Sequence, residues 1–166
     1  MTLLEIVNLF NSVAARQPNI NCICLTGDVF DLNTDNATQR FAAFCIQQGT
    51  HYRDGDFMVF NLSLFYVDRL TVDRTNRLYL QSTAINVLNS IITTVADMNS
   101  GTLGIEGNTN ITVFTQRFEA ECAGAYAEVN IKVPVSFLCS NIAPIYGDFE
   151  PLSFNGDYWI RKNTLD

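Results

Sequence analysis

The stretch "FMVFNLSLFYVDRLT", residues 57–71, alternates without leaving either face polar. Met58, Phe60, Leu62, Leu64 and Tyr66 fall on one side of an extended chain, and Phe57, Val59, Asn61, Ser63, Phe65 and Val67 on the other. An antiparallel strand commonly buries one face and wets the other, so this one is expected to be covered twice. "AYAEVNIKVPVSF" alternates more cleanly. Ala125, Ala127, Val129, Ile131, Val133 and Val135 share one side, and Tyr126, Glu128, Asn130, Lys132 and Pro134 the other, which predicts a strand with one core face. Weaker alternation in "NITVFTQRFEAEC" predicts another strand, and "CAGA" at 122–125 is small enough to bend or bulge the chain between them. Pro134 lacks an N–H donor and suggests an edge position near a strand end. "INCICLTG" has the length and branching of a short strand closed by Gly27.

The period changes in two other segments. In "TLLEIVNLFNSVAARQP", Thr2 and Glu5 stand at capping-box spacing, and Leu3, Ile6, Val7, Phe10, Val13 and Ala14 form one stripe before Pro18. In "VDRTNRLYLQSTAINVLNSIITTVADMNSG", a helical stripe runs through Leu78, Gln81, Ala84, Ile85, Leu88, Ile91, Ile92 and Val95, with Asp73 or Thr75 as cap and Gly101 as stop. Asp28 to Gly55 reads as a long polar connection holding a short helical or extended piece at "QRFAAFCIQQ". After Ser140 the period is lost while aromatics continue, and Phe149, Phe154, Tyr158 and Trp159 need a surface to lie on.

The order helix, strand, long loop, strand, helix, strand, strand, arm predicts an α+β fold: an antiparallel sheet with the two helices packed on one face. Residues 1–139 are expected to form a single domain, and 140–166 a C-terminal arm or hairpin. The helices cover one face of strand 57–70. The other, with Phe65 and Val67, is left for the arm or for another copy of the chain.

Composition sharpens this expectation. Of the 166 residues 48% are apolar and only 16% charged, against about 25% charged in ordinary soluble domains. Low charge without loss of polarity suits a surface that meets other protein, because a buried amide is more easily satisfied than a buried ammonium. The net charge of −7 repels nucleic acid and anionic lipid. No apolar run approaches about 18 residues and "MTLLEIVNLF" lacks the features of an export signal, so neither membrane insertion nor secretion is expected. The five cysteines, at 22, 24, 45, 122 and 139, are odd in number and form no CxxC pair, which predicts reduced thiols packed as small apolar groups. Cys22 and Cys24 would share a strand face. The single histidine, His51, leaves a zinc site short of ligands.

Candidate chemistry is sparse. His51 lies in the turn-rich "QQGTHYRDGD" and has no nucleophile elbow with it, which favours a surface histidine. "GTLGIEG" follows a helix and precedes a strand, the reverse of a phosphate-binding loop. "DLNTDN" opens like a calcium loop through Asp31, Asn33 and Asp35, but Ala42 stands at the position of the bidentate glutamate. "YVDRLTVDRTNRL" gathers Asp68, Arg69, Asp73, Arg74 and Arg77 at a strand-to-helix turn. Interleaved with arginines, these carboxylates are expected to make ion pairs that fix the turn or bridge subunits rather than do acid–base work; an enzyme built on Asp68, Asp73 and Arg77 is the competing reading. "RFEAECAG" adds Arg117, Glu119 and Glu121. No cofactor is expected.

The words "YVDRL", "LQSTAINVLNSII" and "FTQRFEAECAGAYAEVNIKVPV" resemble small virion proteins of crAss-like and related tailed bacteriophages of Bacteroidetes, over roughly residues 57–136. Asp68, Arg69 and the stretch Cys122 to Tyr126 are the matching positions. The order of elements is also similar to tail-terminator and tail-completion proteins. This resemblance implies a structural, non-enzymatic ring subunit at the neck or tail, which joins head to tail and lines the DNA conduit without binding DNA specifically. It also implies assembly in the host cytoplasm, residence in the virion, and contact with adjacent neck, tail or portal proteins. Closed symmetry implies about six to twelve copies. The interface residues expected on this reading are Phe65, Val67, Asp68, Arg69, Asp73, Arg74, Arg77, Phe149, Phe154, Tyr158 and Trp159. The alternative is a small-ligand or peptide-binding α+β module with its pocket on the apolar face of strand 57–70.

Overall fold

The computed structural model describes residues 1–24, 41–106, 109–115 and 121–138, together with the backbone pairing of 153–154 and 159–160. Helix α1 (Leu3–Ala14) is followed by β1 (Cys22–Cys24), β2 (Ala43–Gln48), β3 (Tyr52–Asp54) and β4 (Phe57–Arg69). Helix α2 (Arg77–Met98), β5 (Gly104–Ile105), β6 (Ile111–Thr115), β7 (Cys122–Pro134) and the single turn α3 (Val135–Leu138) complete the body, and β8 (Ser153–Phe154) pairs with β9 (Trp159–Ile160) in a separate hairpin. The class is the expected α+β, with two long helices against a mostly antiparallel sheet. It is a mixed sheet, because β1 runs parallel to β2.

β4 and β7 pair antiparallel along their full length, from Phe57↔Pro134 to Arg69↔Cys122. The shorter strands flank this central pair. β2 and β3 lie end to end along one side of β4, and β5 and β6 end to end along the outer side of β7. Of the helical and extended alternatives for "QRFAAFCIQQ", the structure has the extended one, with Ala43–Gln48 a full strand of the sheet. β7 is interior and not the edge strand that Pro134 suggested; Pro134 is tolerated as its last residue, beyond the register of β5, where no donor is required. "CAGA" neither bends nor bulges. Its small residues let β4 and β7 approach, and a Cβ on Gly124 would strike the carbonyl oxygen of Tyr66. Gly55, with φ of 57°, supplies the left-handed residue of the two-residue turn between Asp54 and Phe57.

Helix α1 begins as its sequence requires, with a capping box in which the Glu5 N–H donates to Thr2 Oγ1 and the Thr2 N–H to Glu5 Oε2. Ile6, Phe10, Val13 and Ala14 are its buried residues. They join Phe44 and Ile46 of β2, Phe60, Leu62, Leu64 and Tyr66 of β4, and Ala125, Ala127, Val129, Ile131 and Val133 of β7 in the main core. Helix α2 is rotated from the expected stripe. Its buried residues are Leu80, Ala84, Val87, Leu88, Ile91 and Val95, and Leu78 and Ile85 are exposed. The cap differs too: Asn76 is at the N-cap and its side chain makes no cap hydrogen bond.

Around Phe65 and Val67 the second face of β4 is closed within the chain, whereas Phe57 on the same face is 42% exposed. Phe65 and Val67 are 3% and 0% exposed and pack with Ala43, Cys45, Phe114 and Cys122, with Cys22, Cys24, Phe41 and Tyr126 at the border. Phe65 and Val67 are thus buried within the chain and are not left for another copy, a correction to their expected interface role; the arm, the other cover expected for them, lies outside the described residues. Toward the other end of this face the surface turns polar, and Lys132 Nζ reaches Asp54 Oδ2 at 3.3 Å and Glu106 Oε1 at 3.0 Å.

Candidate functional site

The β4–α2 turn is built to be rigid. Leu70, Leu80 and Ala123 form a small apolar cluster beneath it. Asn76 closes it from above: Oδ1 accepts from the Thr71 N–H at 3.0 Å and the Thr71 hydroxyl at 3.1 Å, and Nδ2 donates to the Arg69 carbonyl at 3.2 Å. Residues 69–76 are thus held by one amide that satisfies three polar groups. Arg74 takes a positive φ of 56° and its guanidinium pairs with Glu121 at 3.0 Å, tying the turn to the start of β7. The Leu70 N–H donates to the Glu121 carbonyl at 2.9 Å.

The charged residues singled out by sequence divide among separate tasks. Asp73 Oδ1 accepts from the Thr75 N–H and hydroxyl at 3.3 and 3.1 Å, and polar groups of Thr71 and Thr75 hold its carboxyl below the usual range. Asp68 is partly buried, which raises its carboxyl pKa, and Oδ1 accepts from the Arg69 N–H at 2.7 Å. The Arg69 guanidinium lies 5.3 Å from the centre of the Phe41 ring, covering the border of the second apolar cluster. Arg77 opens α2. Among the described residues no hydrogen bond or ion pair joins Asp68, Asp73 and Arg77 to one another. The ion pair that fixes the turn uses Glu121 rather than either aspartate.

What the turn displays was not singled out by sequence. Val72, Leu78 and Tyr79 are 97%, 72% and 71% exposed, beside Arg74 and Arg77. Large apolar side chains on an ordered, arginine-flanked turn and on the first turn of the helix that follows it have the composition of a protein-contact surface. Two apolar stripes compete along α2, and the signal was the width of their combined arc. A stripe through Leu80, Ala84, Val87, Ile91 and Val95 faces the sheet, which turns Leu78 and Ile85 outward.

Other candidates resolve as packing or lie elsewhere. His51 is half-buried and meets Phe60 edge-on, with ring centroids 5.4 Å apart, so it is a packed residue and not a free loop histidine. Among the described residues no group of three or more His, Cys, Asp or Glu could hold a metal ion. "DLNTDN", Arg117, Glu119, Phe149 and Tyr158 lie outside the described residues, and for Phe154 and Trp159 only the backbone pairing is described. Among the described residues no helix is long and apolar enough to cross a membrane. No protein-family model matches the chain, and no curated protein matches it in sequence.

Proposed function

We infer that the protein is a structural subunit that works by assembling with copies of itself into a closed ring, in the neck or tail of a tailed bacteriophage, around a conduit through which DNA passes without specific binding. The observation that carries the assembly reading is the β4–α2 turn. It is fixed by Asn76, by the Arg74–Glu121 pair and by the Leu70 cluster, and it offers Val72, Leu78 and Tyr79 to solvent. Order without burial costs little entropy on association, because the turn is already held in one conformation. Low overall charge favours the same reading, and the phage setting rests on the resemblance of residues 57–136. A ring subunit meets its left and right neighbours through two different surfaces that close by rotation, and the turn is assigned to one of them.

Against the ligand-binding alternative stands the burial of Phe65 and Val67, which pack with the chain's own side chains on the face where a pocket was expected. Mass photometry of the purified chain, alone and mixed with adjacent neck and tail proteins, tests the assembly. Closed species of about six to twelve copies are expected in at least one condition. A monomer under both conditions would overturn the reading.

A further inference from the structure

Three thiols meet where the chain places β1 beside β2. Cys22 and Cys24 share one face of β1, and the parallel register sets Cys24 opposite Cys45 and Cys22 opposite Ala43. All three belong to the second apolar cluster; Cys22 and Cys24 are half-buried at its border and Cys45 is fully buried. Neighbouring strands lie about 4.8 Å apart, within the roughly 4.4–6.8 Å between Cα atoms that a disulfide spans. Cys22 and Cys24, two residues apart, stand at the upper limit of that range, at about 6.4–6.8 Å. The diagonal from Cys22 to Cys45 is longer still, roughly 8 Å. Only the Cys24–Cys45 pair is well placed.

The geometry points to Cys24 and Cys45 as a reversible dithiol–disulfide pair that fastens the short strand β1 to the sheet when the protein meets an oxidising small-molecule disulfide. Cys24 is the entry point because it reaches solvent. Its thiolate attacks one sulfur of glutathione disulfide and releases one glutathione thiolate, which takes up the proton lost by Cys24. Cys45 then gives up its proton and attacks the Cys24 sulfur, expelling the second glutathione. Two protein thiols are oxidised and one glutathione disulfide is reduced to two thiols. Cys45 is buried, out of reach of glutathione disulfide, so it is the resolving and not the attacking group, and its proton passes to the departing glutathione thiolate. An excess of reduced glutathione runs both exchanges backward and reopens the bond. It closes a loop of about 20 residues, and its effect on the unfolded chain gives an expected rise in Tm on the order of 6–12 °C. This inference does not depend on the ring.

The test treats the full-length folded protein with glutathione disulfide and maps its peptides without reduction. Trypsin cuts after Arg16, Arg40 and Arg53, which leaves Cys22 with Cys24 and puts Cys45 in another peptide. A linked pair of these peptides is expected in the natural protein and in Cys22→Ser, with loss of the link in Cys24→Ser and in Cys45→Ser. Four results would overturn the proposal: a stable glutathione adduct on Cys24, a link that survives Cys24→Ser, a link through Cys122 or Cys139, or fully reduced thiols.

Discussion

Two groups of apolar side chains lie close together in sequence and meet opposite fates. Phe65 and Val67 on β4 are sealed inside the subunit, while Val72, Leu78 and Tyr79, a few residues later, stand in solvent. Local pattern ranks the first group as the better interface, because an apolar second strand face looks unoccupied. Tertiary structure reverses the ranking. β2 and β7 flank β4 on both sides and pack small and aromatic residues around Phe65 and Val67, and the rotation of α2 leaves Leu78 outside. An apolar residue is available to a partner only when its neighbours in space leave it so, and those neighbours are distant in sequence.

The sharpest break in this contrast is Phe65→Asp. A charge in the closed cluster has no partner, and a loss on the order of 5 kcal/mol is expected, seen as loss of the folded circular dichroism signal. A folded Phe65→Asp monomer would return Phe65 to the interface. Gly124→Ala probes the same face through the backbone. The added Cβ meets the Tyr66 carbonyl, so β4 and β7 must part, and destabilisation of about 2–4 kcal/mol is expected from urea unfolding.

On the exposed side, Tyr79→Asp and Leu78→Asp should leave stability within about 0.5 kcal/mol, since neither side chain is buried. Each should weaken self-association by roughly tenfold or more in sedimentation velocity if the turn is a contact surface. Asn76→Ala sits between the two cases. It removes three hydrogen bonds that hold the turn, with an expected cost of about 1–2 kcal/mol and a weaker assembly through lost order rather than lost contact. Asp68 gives the smallest effect. Burial raises its carboxyl pKa, so the folded state holds that proton more tightly than the unfolded chain. Stability is then highest with Asp68 protonated and falls as pH rises from the ordinary carboxylate value through the raised one. Asp68→Asn should flatten that fall in urea midpoints measured across the same range.

Much of the fold was legible because local and tertiary signals agreed. The capping box of Thr2 and Glu5, the stripe of Ile6, Phe10, Val13 and Ala14, and the alternation of β4 and β7 each survive unchanged. Misreadings arose where one residue type serves two purposes. Gly124 and its small neighbours read as a bend, but serve close strand approach, which shows only when Tyr66 is opposite. Asp73 and Thr75 both read as helix caps, yet they bond to each other, and Asn76 turns its side chain back to the loop. "QRFAAFCIQQ" read as either a short helical or an extended piece, and its place as a sheet strand shows only through its pairing with 62–67, which is not local. In the candidate site, Arg74 was legible as an ion-pair residue but Glu121 as its partner was not, since forty-seven positions separate them. Cys22 and Cys24 were visible as neighbours, whereas Cys45 joins them only through parallel strand register.

The β4–β7 ladder also has a mechanical consequence. Thirteen consecutive residues pair without interruption, a span of roughly 43 Å at strand rise. Sliding one strand along the other would load all of those rungs at once, whereas peeling from an end would open them one after another. The Gly55 hairpin connects to one end of this strut and the β4–α2 turn to the other. A push on the turn along the strand axis is therefore shared as shear among all the rungs that join β4 to β7.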